Sequence, residues 1–243
     1  MGELAASMDQ IIIPRQELSD WGTAWLGTVN ATNGKTKSAS AFDRQQSVNF
    51  ASFIDMEVGK ALAKFLGGIN VVTPHPYALL PPEPDCVEVG PARIIGGIRP
   101  QNFDVAYRPD GPRIVFDSKS LNDQKSIGKN WQNMVNDLGT EAATVHTRFP
   151  YAIVAFMVVL PKPAVAKKQE ADLVRTLERL GNRKDVLDQA HLAEALSLIL
   201  WDPQTGDVCP DSPPQNSSLR LENFSRALAP HYIDRYKGLP PHE

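Results

Sequence analysis

Apolar residues return every three or four positions along Asp43 to Leu66 (DRQQSVNFASFIDMEVGKALAKFL), placing Phe50, Ile54, Val58, Ala61, Leu62 and Phe65 on one side. That spacing predicts an amphipathic helix, stopped by Gly67-Gly68. Phe103 to Lys119 (FDVAYRPDGPRIVFDSK) reads as two short apolar strands joined by a Pro-Asp-Gly turn. Helical spacing returns from Asp123 to Gly139, with Ile127, Trp131, Met134, Val135 and Leu138 on one side, and continues or restarts through Glu141 to His146. Tyr151 to Leu160 (YAIVAFMVVL) is a near-continuous apolar run between Pro150 and Pro161, the pattern of a central strand covered on both faces. Residues 167–193 predict one helix, or two broken around Gly181-Asn182, and Ala195 to Trp201 a strand. A last helical region runs from about Leu219 to Tyr236, with Leu221, Phe224, Leu228 and Ile233 inward and Pro230 kinking or splitting it.

Two stretches are less regular. In residues 1–41, Trp21, Trp25 and Leu26 predict part of a short helix, while Thr28 to Ala41 is polar and carries an Asn-Gly turn with Lys35 and Lys37. The latter reads either as a surface loop or as a basic arm touching phosphates. Residues 69–102 are rich in proline. They read as a possible strand at Val71-Val72 and then an irregular connection carrying Glu83, Asp85 and Glu88, of the length of a functional loop or a dimer surface. The order helix, strand, strand, helix, strand, helix, strand, helix predicts an α/β fold, a mixed β-sheet flanked by helices. One domain over residues 1–243 is expected, with a core at about 43–160, an N-terminal arm at 1–42 and a C-terminal helix and strand extension at 161–243.

Composition changes this picture little. Hydrophobic residues make up 42% and charged residues 22% of 243, with a formal charge of −3, so no global positive field advertises a nucleic-acid partner. Local Lys and Arg can still line a groove. Cys86 and Cys209 lie far apart, imply neither a disulfide framework nor a zinc site, and fit a reducing cytoplasm. No signal peptide is expected from MGELAASMDQ, and the longest apolar run is about half the roughly 20 residues a membrane helix needs. Phosphate-binding GxxxxGK[ST] and GxGxxG loops are absent, as are HExxH and GxSxG, so no nucleotide cofactor is expected. The five histidines show no metal-ligand spacing.

The chemistry that remains is Asp104 with Asp117-Ser118-Lys119. Residues i and i+2 of a strand share a face, so Asp117 and Lys119 project together with Val115. Two carboxylates and an ammonium on adjoining strands suit a divalent cation beside a phosphodiester. Hard oxygen ligands select Mg2+, with Mn2+ as a substitute, over zinc. The alternative is a plain Asp117–Lys119 ion pair at a strand end, which is costly in an apolar strand. Glu57 falls between Phe53 and Phe50 on the wheel of the first long helix, at the margin of its apolar stripe. It either faces the site or pairs with Lys60.

These residues resemble the PD-(D/E)xK nuclease superfamily, and most of all its type II restriction endonucleases. The likeness covers the Glu57 helix to about Leu160. It implies a restriction-endonuclease-like core of αβββαβ type and Mg2+-dependent hydrolysis of double-stranded DNA by a homodimer. Carried over by position, Asp104 matches the first acid, Asp117 the second, Lys119 the lysine, and Glu57 the acid some members place on the first core helix. Phe103 stands where the motif's proline is expected. Other readings are another nuclease of this fold, such as a junction resolvase or an antiphage defence effector, and a non-catalytic DNA-binding module. Candidate phosphate contacts are Arg93, Arg99, Arg108, Lys125 and Lys129, with Lys35 and Lys37 as weaker ones.

Overall fold

The architecture, taken from a computed structural model that describes residues 3–242, is a six-stranded mixed sheet between two helical layers. The elements follow the chain as α1 (Arg15–Leu26), α2 (Arg44–Phe65), β1 (Asn70–Val72), β2 (Cys86–Ile95), β3 (Pro100–Tyr107), β4 (Ile114–Ser120), α3 (Ile127–His146), β5 (Ile153–Pro161), α4 (Lys167–Leu180), β6 (Ala195–Trp201) and α5 (Leu221–Tyr236). Strand order in the sheet is the order in the chain. β1 and β2 are parallel, β2, β3 and β4 run antiparallel, and β4, β5 and β6 are parallel.

Alternation along the strands sorts the helices into layers. On one face Phe116 of β4 meets Phe224 of α5, and Trp201 of β6 stacks on Phe50 of α2 at 5.6 Å. Trp21 of α1 joins the same aromatic group. On the other face Lys119 of β4 reaches Glu141 of α3, and Gly181 after α4 lies against Leu196. Burial of these apolar surfaces is the main stabilising contribution, and one buried cluster runs from Met8 to Tyr236.

α2 begins at a capping box: Asp43 Oδ1 accepts the Gln46 N–H at 2.8 Å while Gln46 Oε1 accepts that of Asp43 at 3.1 Å. All nine residues of β5 are buried, as its apolar run requires of a strand covered twice. β6 ends the sheet but is also buried throughout. Its free edge is closed by the segment after it, through Cys209 N to Leu200 O and Leu198 N to Leu219 O.

Several expectations need revision. The connection at 69–102 contains a ten-residue strand, β2, rather than irregular chain. Its alternation is hidden because Gly90 and Pro91 form a bulge between Val89 and Ala92. The helix after Lys119 starts at Ile127 and runs unbroken to His146. Only Lys167–Leu180 of residues 167–193 is helical. The N-terminal stretch is packed: Ile11, Ile13, Leu18 and Trp25 belong to the core, and Trp25 Nε1 donates to Asn122 O at 2.7 Å. No described helix is long and apolar enough to cross a membrane.

Candidate active site

The site forms where two paired strands part. β3 and β4 are laddered from Tyr107↔Ile114 to Val105↔Phe116, and pairing stops there although both strands continue. Beyond that point β3 stays with β2 as far as Pro100↔Ile95, and β4 stays with β5 as far as Ser120↔Val159. The next residues in register are Asp104 and Asp117, one on each arm of the fork. The bulge at Gly90-Pro91 interrupts the β2–β3 ladder opposite Asp104. The tip of the β2–β3 hairpin lands on α3, where Gly97 N donates to Thr144 O at 2.7 Å. A Cβ on Gly96 would stand 2.3 Å from Thr144 Cγ2, so this approach requires glycine.

Side chains replace the missing ladder. Asp104 Oδ2 accepts the Ser118 N–H at 3.1 Å, closing the fork with a carboxylate where a backbone carbonyl would serve in a continued sheet. Lys119 Nζ contacts Asp117 Oδ2 and also donates to Glu141 Oε1 at 2.9 Å. Asp117 and Glu141 side chains are 7% and 6% exposed while Lys119 is 25% exposed, so the lysine side chain is the most open member of this trio. From the opposite layer α2 brings Asp55, also buried, towards Asp104, Ser118 and Lys119.

Four carboxyl groups thus share a single ammonium. Burial pushes the Asp55 carboxyl up to about 8, and the Asp104 charge adds to the shift; the Ser118 hydroxyl and Lys119 oppose it. Neither Asp55 Oδ1 nor Ser118 Oγ completes a hydrogen bond, so the hydroxyl lies beside the acid without satisfying it. Asp117 is raised well above the carboxylate range. Burial is the first cause, followed by the closeness of the Asp104 carboxyl and its charge, with Lys119 acting against them. Burial pulls Lys119 down, but Asp117 and Glu141 outweigh it and hold the ammonium above its ordinary value. The lysine therefore stays charged at neutral pH.

This donor set suits a hard divalent cation. Asp55, Asp104 and Asp117 offer carboxylate oxygens from three elements, and Asp55 Oδ1 and Glu141 Oε2 are buried with no hydrogen-bond partner. A group that costs free energy when buried and unpaired gains most from a cation. Among the described residues, no three or more His, Cys, Asp or Glu side chains are grouped so as to hold a metal ion as they stand. Asp117 is occupied by Lys119, the ion pair that the sequence offers as an alternative.

The other sequence candidates fall into two groups. Glu57 is half-buried and pairs with exposed Lys60 at 2.8 Å, and Asp55 is the α2 acid beside Asp104. At about 100° per residue Asp55 falls between Leu62 and Gly59, continuing the buried arc from Phe50 through Ile54 and Val58. The apolar stripe extends past the margin at which Glu57 sits, and in the other direction. Glu141 is buried at the edge of the apolar stripe of α3, between Met134 and exposed Asn130 on the wheel.

Among the basic candidates, Arg108 is not available to phosphates. It is buried, clamped by both oxygens of Glu88, and donates to Arg93 O at 2.8 Å and Leu79 O at 2.9 Å. Lys37 is likewise committed inward, donating to Trp25 O, Gly27 O, Ser38 O and Ala41 O around the end of α1. Arg93 is half-buried over the Tyr77 ring. Arg99, Lys35, Lys125 and Lys129 are exposed, the last two around the start of α3. No family model matches the chain, and no curated protein or solved structure is significantly similar to it.

Proposed function

We propose that this protein is a Mg2+-dependent endonuclease that hydrolyses double-stranded DNA, in the manner of a site-specific type II restriction enzyme acting as a homodimer. The observation that carries the reading is the fork: Asp104 and Asp117 face each other where β3 and β4 part, with Lys119 on the face of Asp117 and Asp55 closing in from α2. The motif's resemblance to the PD-(D/E)xK superfamily supports the same reading.

In this mechanism Asp104 and Asp117 hold the cation, Asp55 adds to the acidic field around it, and Lys119 keeps its positive charge. Bound Mg2+ would polarise the phosphate and lower the pKa of a water. Asp104 has a further task, since its bond to Ser118 N fixes the separation of the two strands. Lys119, charged and partly open to solvent, orients the attacking water or stabilises charge growing on the phosphate. Exposed Lys125, Lys129 and Arg99 are the candidate contacts to the DNA backbone.

The test is incubation of the purified protein with phage or plasmid DNA and Mg2+, followed by sequencing of the fragment ends. Ends at one short sequence are expected, lost in Asp117→Ala and Lys119→Ala. Cleavage without a fixed site, or only with an added effector, points to a resolvase or a defence effector of the same fold. No cleavage with Mg2+ or Mn2+, or unchanged cleavage by both variants, overturns the nuclease reading.

A further inference from the structure

We propose that Glu141 is a positioning residue for Lys119, holding the ammonium when Asp117 turns from the lysine to a divalent cation. This role rests on the nuclease reading and deepens it.

The argument begins with what Glu141 costs. It is buried at the edge of the apolar stripe of α3, beside Met134, Leu138 and Val145, where an apolar residue would pack without penalty. Its Oε1 has one donor, Lys119 Nζ at 2.9 Å, and its Oε2 has none. No helix cap and no second ion pair accounts for it among the described residues. A carboxylate this poorly satisfied gives the helix nothing, so the partner that explains it is Lys119.

Lys119 needs that partner because Asp117 has two claims on it. Its carboxylate contacts the ammonium, and it is also a candidate cation ligand. A lysine dependent on Asp117 alone would compete with the cation for that carboxylate. Glu141 lies outside this competition and offers the lysine a second anchor, with Oε2 free to take another of its three N–H donors. The ammonium then stays beside the site instead of swinging out on its flexible stem. Glu141 touches no reacting atom in this scheme; it acts through Lys119.

The experiment is calorimetric titration of the full chain with Ca2+ or Mg2+ alone, without DNA, in wild type, Glu141→Gln, Glu141→Asp, Lys119→Met and the Glu141→Gln/Lys119→Met double variant, with thermal melts to verify folding. Glu141→Gln is expected to weaken cation binding about tenfold, as loss of an outer partner commonly does. In the Lys119→Met background the same substitution should have an effect at least about threefold smaller, because no ammonium remains to be held. Glu141→Asp, which keeps the charge, should bind cations more tightly than Glu141→Gln. A packing role predicts the reverse order, since Gln is the closer match in size. An equal effect of Glu141→Gln in both backgrounds, or that reversed order, overturns this proposal and leaves the nuclease reading standing. If the wild type binds neither cation, both fall.

Discussion

The Asp104 carboxylate accepts the backbone N–H of Ser118 at 3.1 Å across the gap where β3 and β4 separate. One side chain therefore fixes the strand spacing and lends negative charge to the pocket that spacing creates. The two roles separate by substitution. Asp104→Asn retains an acceptor oxygen and removes the charge facing Asp117; it should melt at or above wild type at pH 8 while losing Mg2+-dependent cleavage. Asp104→Ala leaves the Ser118 N–H without its acceptor and should be less stable than the Asn variant by about 1 kcal/mol. Urea melts of the pair decide this, and equal stability would remove the structural half of the role.

Asp55 predicts a definite pH dependence. An aspartate in the unfolded chain titrates near pH 4, whereas in the fold burial and Asp104 raise Asp55 to about 8. Between those values the unfolded chain releases a proton that the fold retains. Stability therefore declines as pH rises from about 4 to about 8, by up to about 1.4 kcal/mol per unit for this group, and levels off above. Asp55→Asn removes its share of that slope. Without divalent cations the variant should melt with wild type near pH 4 and above it at pH 8. Parallel melting curves across this range would show that Asp55 is ionised in the fold.

Glu57 provides the matched control on the same helix. Its pair with Lys60 is at the surface, and such pairs contribute about 0–1 kcal/mol. Glu57→Gln should leave stability and cleavage close to wild type, whereas Asp55→Asn should lower cleavage about 10- to 100-fold. Loss of cleavage in the Glu57 variant would return that acid to the site.

The basic residues divide in the same manner. Arg108→Ala strands Glu88 in the interior and should cost about 3–5 kcal/mol of stability. A Lys125→Ala/Lys129→Ala variant should fold as wild type and bind DNA more weakly. The slope of log affinity against log salt should become shallower by about 0.9 for each phosphate that these lysines neutralise in the wild type. An unchanged slope would move the DNA path elsewhere.

How much of this is legible in the sequence depends on what each residue's pattern encodes. The helix at Arg44–Phe65 declares itself through one period and one buried face, and the strand at Ala195–Trp201 through an unbroken apolar run. The hairpin of β3 and β4 is readable for the same reason, with a Pro-Asp-Gly turn between its runs. β2 is hidden because Gly90 and Pro91 interrupt the period, and the bulge they make sits opposite Asp104. The sequence reading singles out Glu57 at one margin of the apolar stripe of α2, while the fold pairs Glu57 with Lys60 and brings Asp55, from within the buried arc, beside Asp104. Arg108 and Lys37 resemble surface cations in sequence, since their partners Glu88 and the Trp25 carbonyl lie 20 and 12 residues away.

The contact of Gly96 and Gly97 with α3 has a mechanical consequence. The hairpin that delivers Asp104 rests on Thr144, one turn after Glu141 on α3, and on Thr147, just past the end of that helix. α3 therefore gauges the pocket from both ends, seating the strand that carries one acid and the side chain that grips the lysine. A larger residue at Gly96 would work as a wedge, lifting the hairpin off that helix and spreading the fork at a distance, with every chemical group of the pocket intact.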